Sequence, residues 1–401
     1  MPFALYLLGL AVFAQGTSEF MLSGLLPDIA ADLDVSVPAA GSLTSAFAVG
    51  MIVGAPLMAL LARRWSRRTA LAVLLGTFLL VHVLGALTPH FGVLLATRVI
   101  GAVTNAGFLA VALVAATSMV GPESRGRATS VLLGGTTLAC VVGVPGGTLL
   151  GHVGGWRSAF WAVALLSVPA LVAIVRSVPT GGAELPAGVG AYAELRTLRS
   201  PRLLLTLLVC ALANGAMFCG FTYLAPVVTD VTGLAPLWVP ALLALFGVGS
   251  FTGVVLAGRI ADAHPPALLA GCAVAGVAGW SVFALTAGSA AATIVLVPVL
   301  GAVSFALGSA LIARALHAAA GAPTLSGALA VAALNVGAAV GPWLGGAVID
   351  AGHGYRAPLW TSALLTALAL ATASGARLGR RRSVRAQAGT DGTNSALGAQ
   401  G

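Results

Sequence analysis

The chain has 401 residues, 59% of them hydrophobic and only 8% charged, against about 45–50% and about 25% in a soluble domain. So few charges cannot cover a water-facing surface, so a soluble enzyme of this length is excluded and lipid must solvate most of the chain. All 20 basic residues are arginine, which removes the lysine of a Walker A site, an ATP-hydrolysing pump with it, and lysine Schiff-base chemistry.

Twelve apolar runs are long enough to cross a bilayer of about 30 Å at about 1.5 Å per residue. In chain order the sequence predicts spans over 4–26, 38–62, 69–88, 91–118, 128–150 and 158–175, then 203–227, 237–257, 267–287, 291–313, 325–349 and 357–376. The first has no basic stretch ahead of it and carries a carboxylate, which marks a retained helix rather than a cleaved signal peptide. The mean hydropathy, +1.02, agrees with a membrane protein throughout.

The first run also holds Glu19, the one acidic residue well inside a span, in GTSEFMLSGLLPDIAADL (Gly16–Leu33). An ionised side chain in mid-bilayer costs at least about 2.5–3.5 kcal/mol, so such a group faces a cavity, is paired, or is protonated. A carboxyl that changes charge with access is what proton coupling needs; the alternative is a structural carboxyl paired with a neighbouring helix. Phe13 on the same helix, with Phe218 and Tyr223 in the seventh run, could wall a pocket for an aromatic ligand or simply pack.

In the second run Gly50 and Gly54, matched by Gly249 and Gly253 in the eighth, have the small-xxx-small spacing of close helix packing. GVGSFTG (Gly247–Gly253) has neither the spacing nor the preceding strand of a dinucleotide loop. Arg98 is the one basic residue well inside a span, in LLATRVIGAV (Leu94–Val103). Arginine stays charged, so Arg98 cannot carry the proton but can set when a neighbouring carboxyl is tolerated; snorkelling or structural pairing is the alternative. Asn105, Asn214 and Asn335, in runs 4, 7 and 11, could hydrogen-bond a substrate or a helix neighbour. The fifth run contains GVPGGTLLG: Gly143, Pro145, Gly146 and Gly147 make it bendable and closely packed, for gating or for packing alone.

The four cysteines lie in apolar runs as small buried hydrophobes, and no metal-ligand spacing links them to the six histidines. No nucleophile elbow, HExxH or Ser/His/Asp grouping occurs, so neither catalysis nor a cofactor is expected. The net charge of +9 reads as topology, not nucleic-acid binding. Arg63, Arg64, Arg67 and Arg68, Arg125 and Arg127, Arg176, Arg196, Arg199 and Arg202, Arg259, Arg314, and Arg377, Arg380, Arg381, Arg382 and Arg385 fall on one side. Only Arg157 and Arg356 fall on the other. The positive-inside rule then places both termini in the cytoplasm, with Asp28, Asp32, Asp34, Asp230 and Asp350 outside.

The chain repeats at an offset of 199. Gly16 and Pro27 recur as Gly215 and Pro226, Phe47 as Phe246, Gly146-Gly147 as Gly345-Gly346, and Gly155-Trp156-Arg157 as Gly354-Tyr355-Arg356. Six spans per half make this a parallel repeat, in which two bundles can rock about a central site. The expected fold is all-α and integral to the membrane. A six-helix bundle over 1–176 and a second over 203–376 are joined by a cytoplasmic linker, 177–202, with a short helix near Ala191–Leu198. A disordered basic tail, 377–401, lies near anionic headgroups.

Taken together, these features resemble the major facilitator superfamily over residues 1 to about 376. The first-helix segment is similar to the signature of twelve-helix drug:proton antiporters, span 5 to the antiporter motif, and RVIGA (Arg98–Ala102) to the fourth-helix arginine motif. GRIADAHPPALL (Gly258–Leu269) resembles the family's loop motif, with Asp262 at its acidic position. The first-half copy, ALLARRWSRRTAL (Ala59–Leu71), departs from it: Arg63 replaces the usual aspartate and Ser66 the usual glycine, so the acidic latch is absent there. FAQGTSEFMLSGLLPD, NAGFLAVAL, RATSVLLGG, ACVVGVPGG and ALNVGAAVGP resemble the actinobacterial chloramphenicol-exporter branch. The resemblance implies a secondary transporter that expels a small amphipathic antibiotic, chloramphenicol, in exchange for protons. Its implied partners are a small-molecule drug, protons and the lipid bilayer, and it is expected to be a monomer. An exporter of sugars or another small metabolite is the first alternative, and a transport-inactive membrane sensor or scaffold the second.

Overall fold

The computed structural model describes residues 3–61, 65–178, 201–261, 265–318 and 323–375. Arg63, Asp262, most of the expected linker and all of the expected tail lie outside them.

Among the described residues, twelve helices are long and apolar enough to cross a membrane. They are α1 (Phe3–Phe20), α2 (Val37–Leu61), α3 (Arg67–Leu87), α4 (Phe91–Ser118), α5 (Arg125–Gly154), α6 (Arg157–Ser177), α7 (Pro201–Thr222), α8 (Trp238–Ala261), α9 (Pro265–Thr286), α10 (Ala290–Ala318), α11 (Pro323–Val348) and α12 (Ala357–Gly375). No strand occurs among the described residues. Most of the helices begin a few residues earlier than hydropathy alone predicts. Arg67 and Arg68, expected in a loop, form the first turn of α3, because the Ser66 hydroxyl accepts the Thr69 N–H at 3.1 Å and caps it.

Packing repeats as the sequence does. In the first half α2 lies on α4, α3 on α4 and α1 on α5; in the second α8 lies on α10, α9 on α10 and α7 on α11. Lipid gives apolar helices no hydrophobic reason to associate, so close backbone approach has to hold them. A Cβ at Gly50 or Gly54 would collide with the Val99 carbonyl or Val103 of α4, and one at Gly249 or Gly253 with the Pro298 or Ala302 carbonyl of α10. The paired turns agree down to the backbone: Gly155 has φ 77° and Gly354 φ 70°, values that favour glycine. Large side chains such as Leu80, Leu165, Leu285, Val295, Trp343 and Leu364 point outward and exposed, as a lipid-facing surface requires.

Two helices are irregular where it matters. α1 ends at Phe20 and passes through a 3₁₀ turn, Met21–Gly24, into a short helix, Leu26–Asp32. α5 holds a π-helical stretch, Ala139–Gly143, before its second part, Val144–Gly154. Pro145 has no N–H to give the carbonyl one turn back, and the helix widens just before it. Gly143 there lies directly against Thr17 and Phe13 of α1, and Gly147 faces Met21, while Gly146 has open space.

The halves meet through α2 with α11 and α5 with α8. The face bearing Asp28 and Asp32 is called the acidic face here, and the one bearing Arg67, Arg125 and Arg259 the basic face. The Ser45 hydroxyl donates to the Ala339 carbonyl at 2.7 Å, and Phe20 stacks on Phe218 with centroids 5.7 Å apart. Gly24 abuts Leu243, Gly41 abuts Tyr223, Gly346 abuts Pro38 and Gly247 abuts Cys140. All these contacts run from the level of Glu19 toward the acidic face. The basic-face part of α5, Arg125–Leu138, packs instead on α1 and α4.

Candidate functional site

Glu19 sits one residue before the end of α1 and lines a small cavity of about 10 Å³ between the halves, room for about one water molecule. Thr44, Phe47 and Ala48 of α2 form its first-half wall, and Phe218 of α7 with Asn335 and Ala338 of α11 the other. Glu19 is partly exposed and borders this internal space. Drug-sized pockets run to roughly 300–1,000 Å³, so a drug would need the two walls to part further. The Thr44 hydroxyl, also in the wall, is buried with no hydrogen-bond partner, as is the amide of Gln15 one turn before Glu19. Unpaired buried polar groups cost about 1–3 kcal/mol each, so this region favours water or a polar ligand group.

Arg98 is 1% exposed. Its Nη1 donates to the Ser18 hydroxyl at 2.7 Å and its Nη2 to the Ser18 carbonyl at 2.8 Å. The guanidinium lies 4.4 Å from the centre of the Phe47 ring, a cation–π contact, and Phe47 in turn lines the Glu19 cavity. Arg98 and Glu19 interact through space but form no ion pair within 4 Å, unlike Arg157 and Asp32.

The other expected site residues separate. Asn335 reaches the cavity, and its amide donates to Val331 of its own helix at 3.0 Å. Asn214 does not line the cavity: it donates to the Leu334 carbonyl at 2.7 Å, holding α7 on α11. Asn105 faces the Met51 sulfur at 3.6 Å, within the first half. Tyr223 is fully buried, its hydroxyl donates to the Pro342 carbonyl at 2.8 Å, and it does not line the Glu19 cavity. Phe13 lies against Gly143 of α5. Spacing along the chain showed that these side chains lie at membrane depth but not which way each helix turns them. Ser18, Thr44 and His82 were missed. His82 carried a readable signal, an ionisable side chain inside an apolar run.

At the acidic face the Arg157 Nη1 donates to Asp32, and its Nη2 to the Thr88 carbonyl at 3.1 Å. The Trp156 indole donates to the same carboxylate at 3.1 Å. The hydrogen bond from Arg157 holds the Asp32 carboxyl below its ordinary range, whereas burial pushes Asp28 up against the opposing charge of His152. A group held low stabilises the fold above its ordinary pKa of 3.8 and loses that contribution as pH falls through its lowered value. The pair is exposed to solvent, so Asp32→Asn should cost less than about 1 kcal/mol at neutral pH. Melting curves of the two proteins in detergent should converge as pH drops below about 4; a gap that widens on acidification would contradict this.

The family model described as Major Facilitator Superfamily matches residues 8–331. The chain is 53% identical over 375 residues to a chloramphenicol resistance protein of Streptomyces lividans, covering 93% of this chain and 96% of that one. It is 38% identical over 368 residues to the inner membrane transport protein YdhP of Escherichia coli K12, covering 92% and 94%. It is 33% identical over 362 residues to the chloramphenicol efflux pump MT0201 of Mycobacterium tuberculosis, covering 86% of each. Among solved structures, the nucleoside transporter NupG is similar with a TM-score of 0.75 at 12% identity, over 93% of this chain and 99% of that one.

Proposed function

The chain belongs to the Major Facilitator Superfamily, and on that premise we propose that it exports chloramphenicol across the cell membrane in exchange for protons, with Glu19 as the proton carrier. The observation that carries this reading is the Glu19 cavity: the one carboxylate at membrane depth opens onto a space walled by both halves. The substrate class rests on the relatives named for chloramphenicol resistance and efflux. In this reading the two bundles rock about that space. The basic face and both termini lie in the cytoplasm, as the arginine distribution favours, so the contacts toward the acidic face close the outside and leave substrate to enter from within. Phe218, Asn335 and Thr44 contact the drug, Arg98 governs Glu19, and the Gly143–Gly147 bend of α5 lets that helix change its crossing with α1. Arg63 and Asp262 remain the gating candidates of the two loops. The protein acts as a monomer, each chain holding a complete cavity.

Energetics set the scale of the test. One charge crossing 100 mV is worth about 2.3 kcal/mol, and one pH unit about 1.4 kcal/mol. One inward proton per neutral drug can therefore hold a gradient on the order of several hundred-fold. Vesicles holding the purified protein under a membrane potential without a pH gradient should accumulate unmodified chloramphenicol. Silence there, with transport restored by a pH gradient alone, would exclude one-for-one electrogenic exchange. No response to chloramphenicol under either force, with proton flux on adding sugars, would favour the metabolite exporter.

A further inference from the structure

His82 lies five residues before the end of α3, 2% exposed, and does not line the cavity. Its ring sits between Phe78 and Phe160, with centroids 4.1 and 5.7 Å away. Nδ1 lies 2.7 Å from the Phe78 carbonyl and Nε2 lies 2.6 Å from the Ser18 hydroxyl. A carbonyl only accepts, so Nδ1 carries the proton and Nε2 is left bare to accept from Ser18. The single hydroxyl proton of Ser18 is thereby committed to His82. Toward Arg98 the hydroxyl can only accept, which is what the Nη1 donor needs. The chain of donors runs one way, from Arg98 Nη1 to Ser18 to His82 to Phe78, and of the guanidinium nitrogens only Nε is left without a partner.

The neighbouring hydroxyl shows what happens without such a partner. Thr17 turns its proton back onto the Phe13 carbonyl of its own helix at 2.8 Å. Ser18 also lies in the last turn of α1, where backbone carbonyls run out of helical donors and the helix carries partial negative charge. Arg98 meets that end through the Ser18 carbonyl, just ahead of the 3₁₀ turn Met21–Gly24.

We propose that His82 is a positioning residue for the proton-coupled step: by fixing the Ser18 hydroxyl as an acceptor, it holds Arg98 on the end of α1 and off the Glu19 carboxylate. Glu19 is then free to face the cavity and exchange its proton there. The charged and titratable groups facing Glu19 are Arg98 of α4 and, through space, Cys140 of α5. The cavity side contributes only neutral groups: Thr44, Phe47 and Ala48 of α2, Phe218 of α7, and Asn335 and Ala338 of α11. Once His82 can no longer accept, Arg98 loses its fixed seat and pairs with Glu19, which locks the carboxylate. This proposal rests on the reading of Glu19 as proton carrier.

The test uses the full chain with His82→Leu, His82→Gln, Ser18→Ala and the double variant His82→Leu/Ser18→Ala. Amide hydrogen exchange over Thr17–Leu26 in the purified protein needs no drug. It should quicken by about ten- to a hundredfold in His82→Leu, the equivalent of one hydrogen bond to a charged group. In vesicles, proton-driven chloramphenicol accumulation should fall by a similar factor, while exchange of labelled for unlabelled drug at equal pH stays near wild type. A glutamine oxygen can replace Nε2, so His82→Gln should recover both readouts. The double variant should be no worse than Ser18→Ala, since His82 acts through Ser18. Unchanged amide exchange in His82→Leu, no recovery in His82→Gln, or additive losses in the double variant would each overturn the proposal. If wild type ignores chloramphenicol, the substrate reading falls, and the amide exchange still decides the role of His82.

Discussion

Glu19→Gln should abolish proton-driven accumulation, bringing the drug gradient from several hundred-fold to about one, while drug-for-drug exchange at equal pH continues. The amide has the shape of the protonated carboxyl and cannot ionise, so it mimics one state permanently. The cavity loses no volume, and its other wall residues, Thr44, Phe47, Phe218 and Asn335, are untouched. A neutral substrate therefore still finds its contacts, but its passage is no longer tied to a proton. Glu19→Asp keeps the charge on a shorter arm and should retain part of the accumulation. The measurement is paired: accumulation under a membrane potential and a pH gradient together, and counterflow with neither, in the same vesicles. Accumulation by Glu19→Gln at the wild-type rate would remove Glu19 from the coupling. The half-buried Asp28, beside His152 at the acidic face, would then be the next candidate.

The fold was legible because each of its determinants is local or periodic. Run length gave the spans. The 199-residue offset anticipated the shared packing of α2 on α4 and α8 on α10, down to the glycines that allow it. Glu19 stood out for an equally local reason, the cost of a charge in an apolar run. The rest of the site depends on helix rotation and on which half a side chain meets, and neither is written in spacing. Asn214 and Asn335 looked alike in the sequence, yet one bonds a neighbouring helix within its own half and the other borders the cavity. Tyr223 could have walled a pocket or packed, and it packs, because Gly41, Gly345 and Gly346 leave room for its ring. The irregular end of α1 was also hidden. Nothing in FMLSGLLPD marks Met21–Gly24 as 3₁₀, and only packing shows that Arg98 meets the helix there.

Replacing Arg98 with lysine should be almost as damaging as replacing it with alanine. The guanidinium does three things at once: one nitrogen binds the Ser18 hydroxyl, a second binds the Ser18 carbonyl, and the planar group lies over Phe47. An ammonium is a compact charge that cannot reproduce a planar fork. Lysine should therefore lose at least one bond to a charged donor, about 1.5–3 kcal/mol, or roughly ten- to a hundredfold in the population of the coupled arrangement. Accumulation should drop accordingly in both variants, and the melting temperature in detergent should fall further for alanine, which leaves both Ser18 acceptors and a buried space unfilled. The double variant Arg98→Lys/Glu19→Gln separates coupling from stability. If Arg98 governs transport through Glu19, drug-for-drug exchange in the double variant should match that of Glu19→Gln, while the loss of melting temperature persists. Accumulation by Arg98→Lys at the wild-type level would mean that a point charge near Ser18 is sufficient, and the forked contact would then serve the packing of α1 on α4 alone.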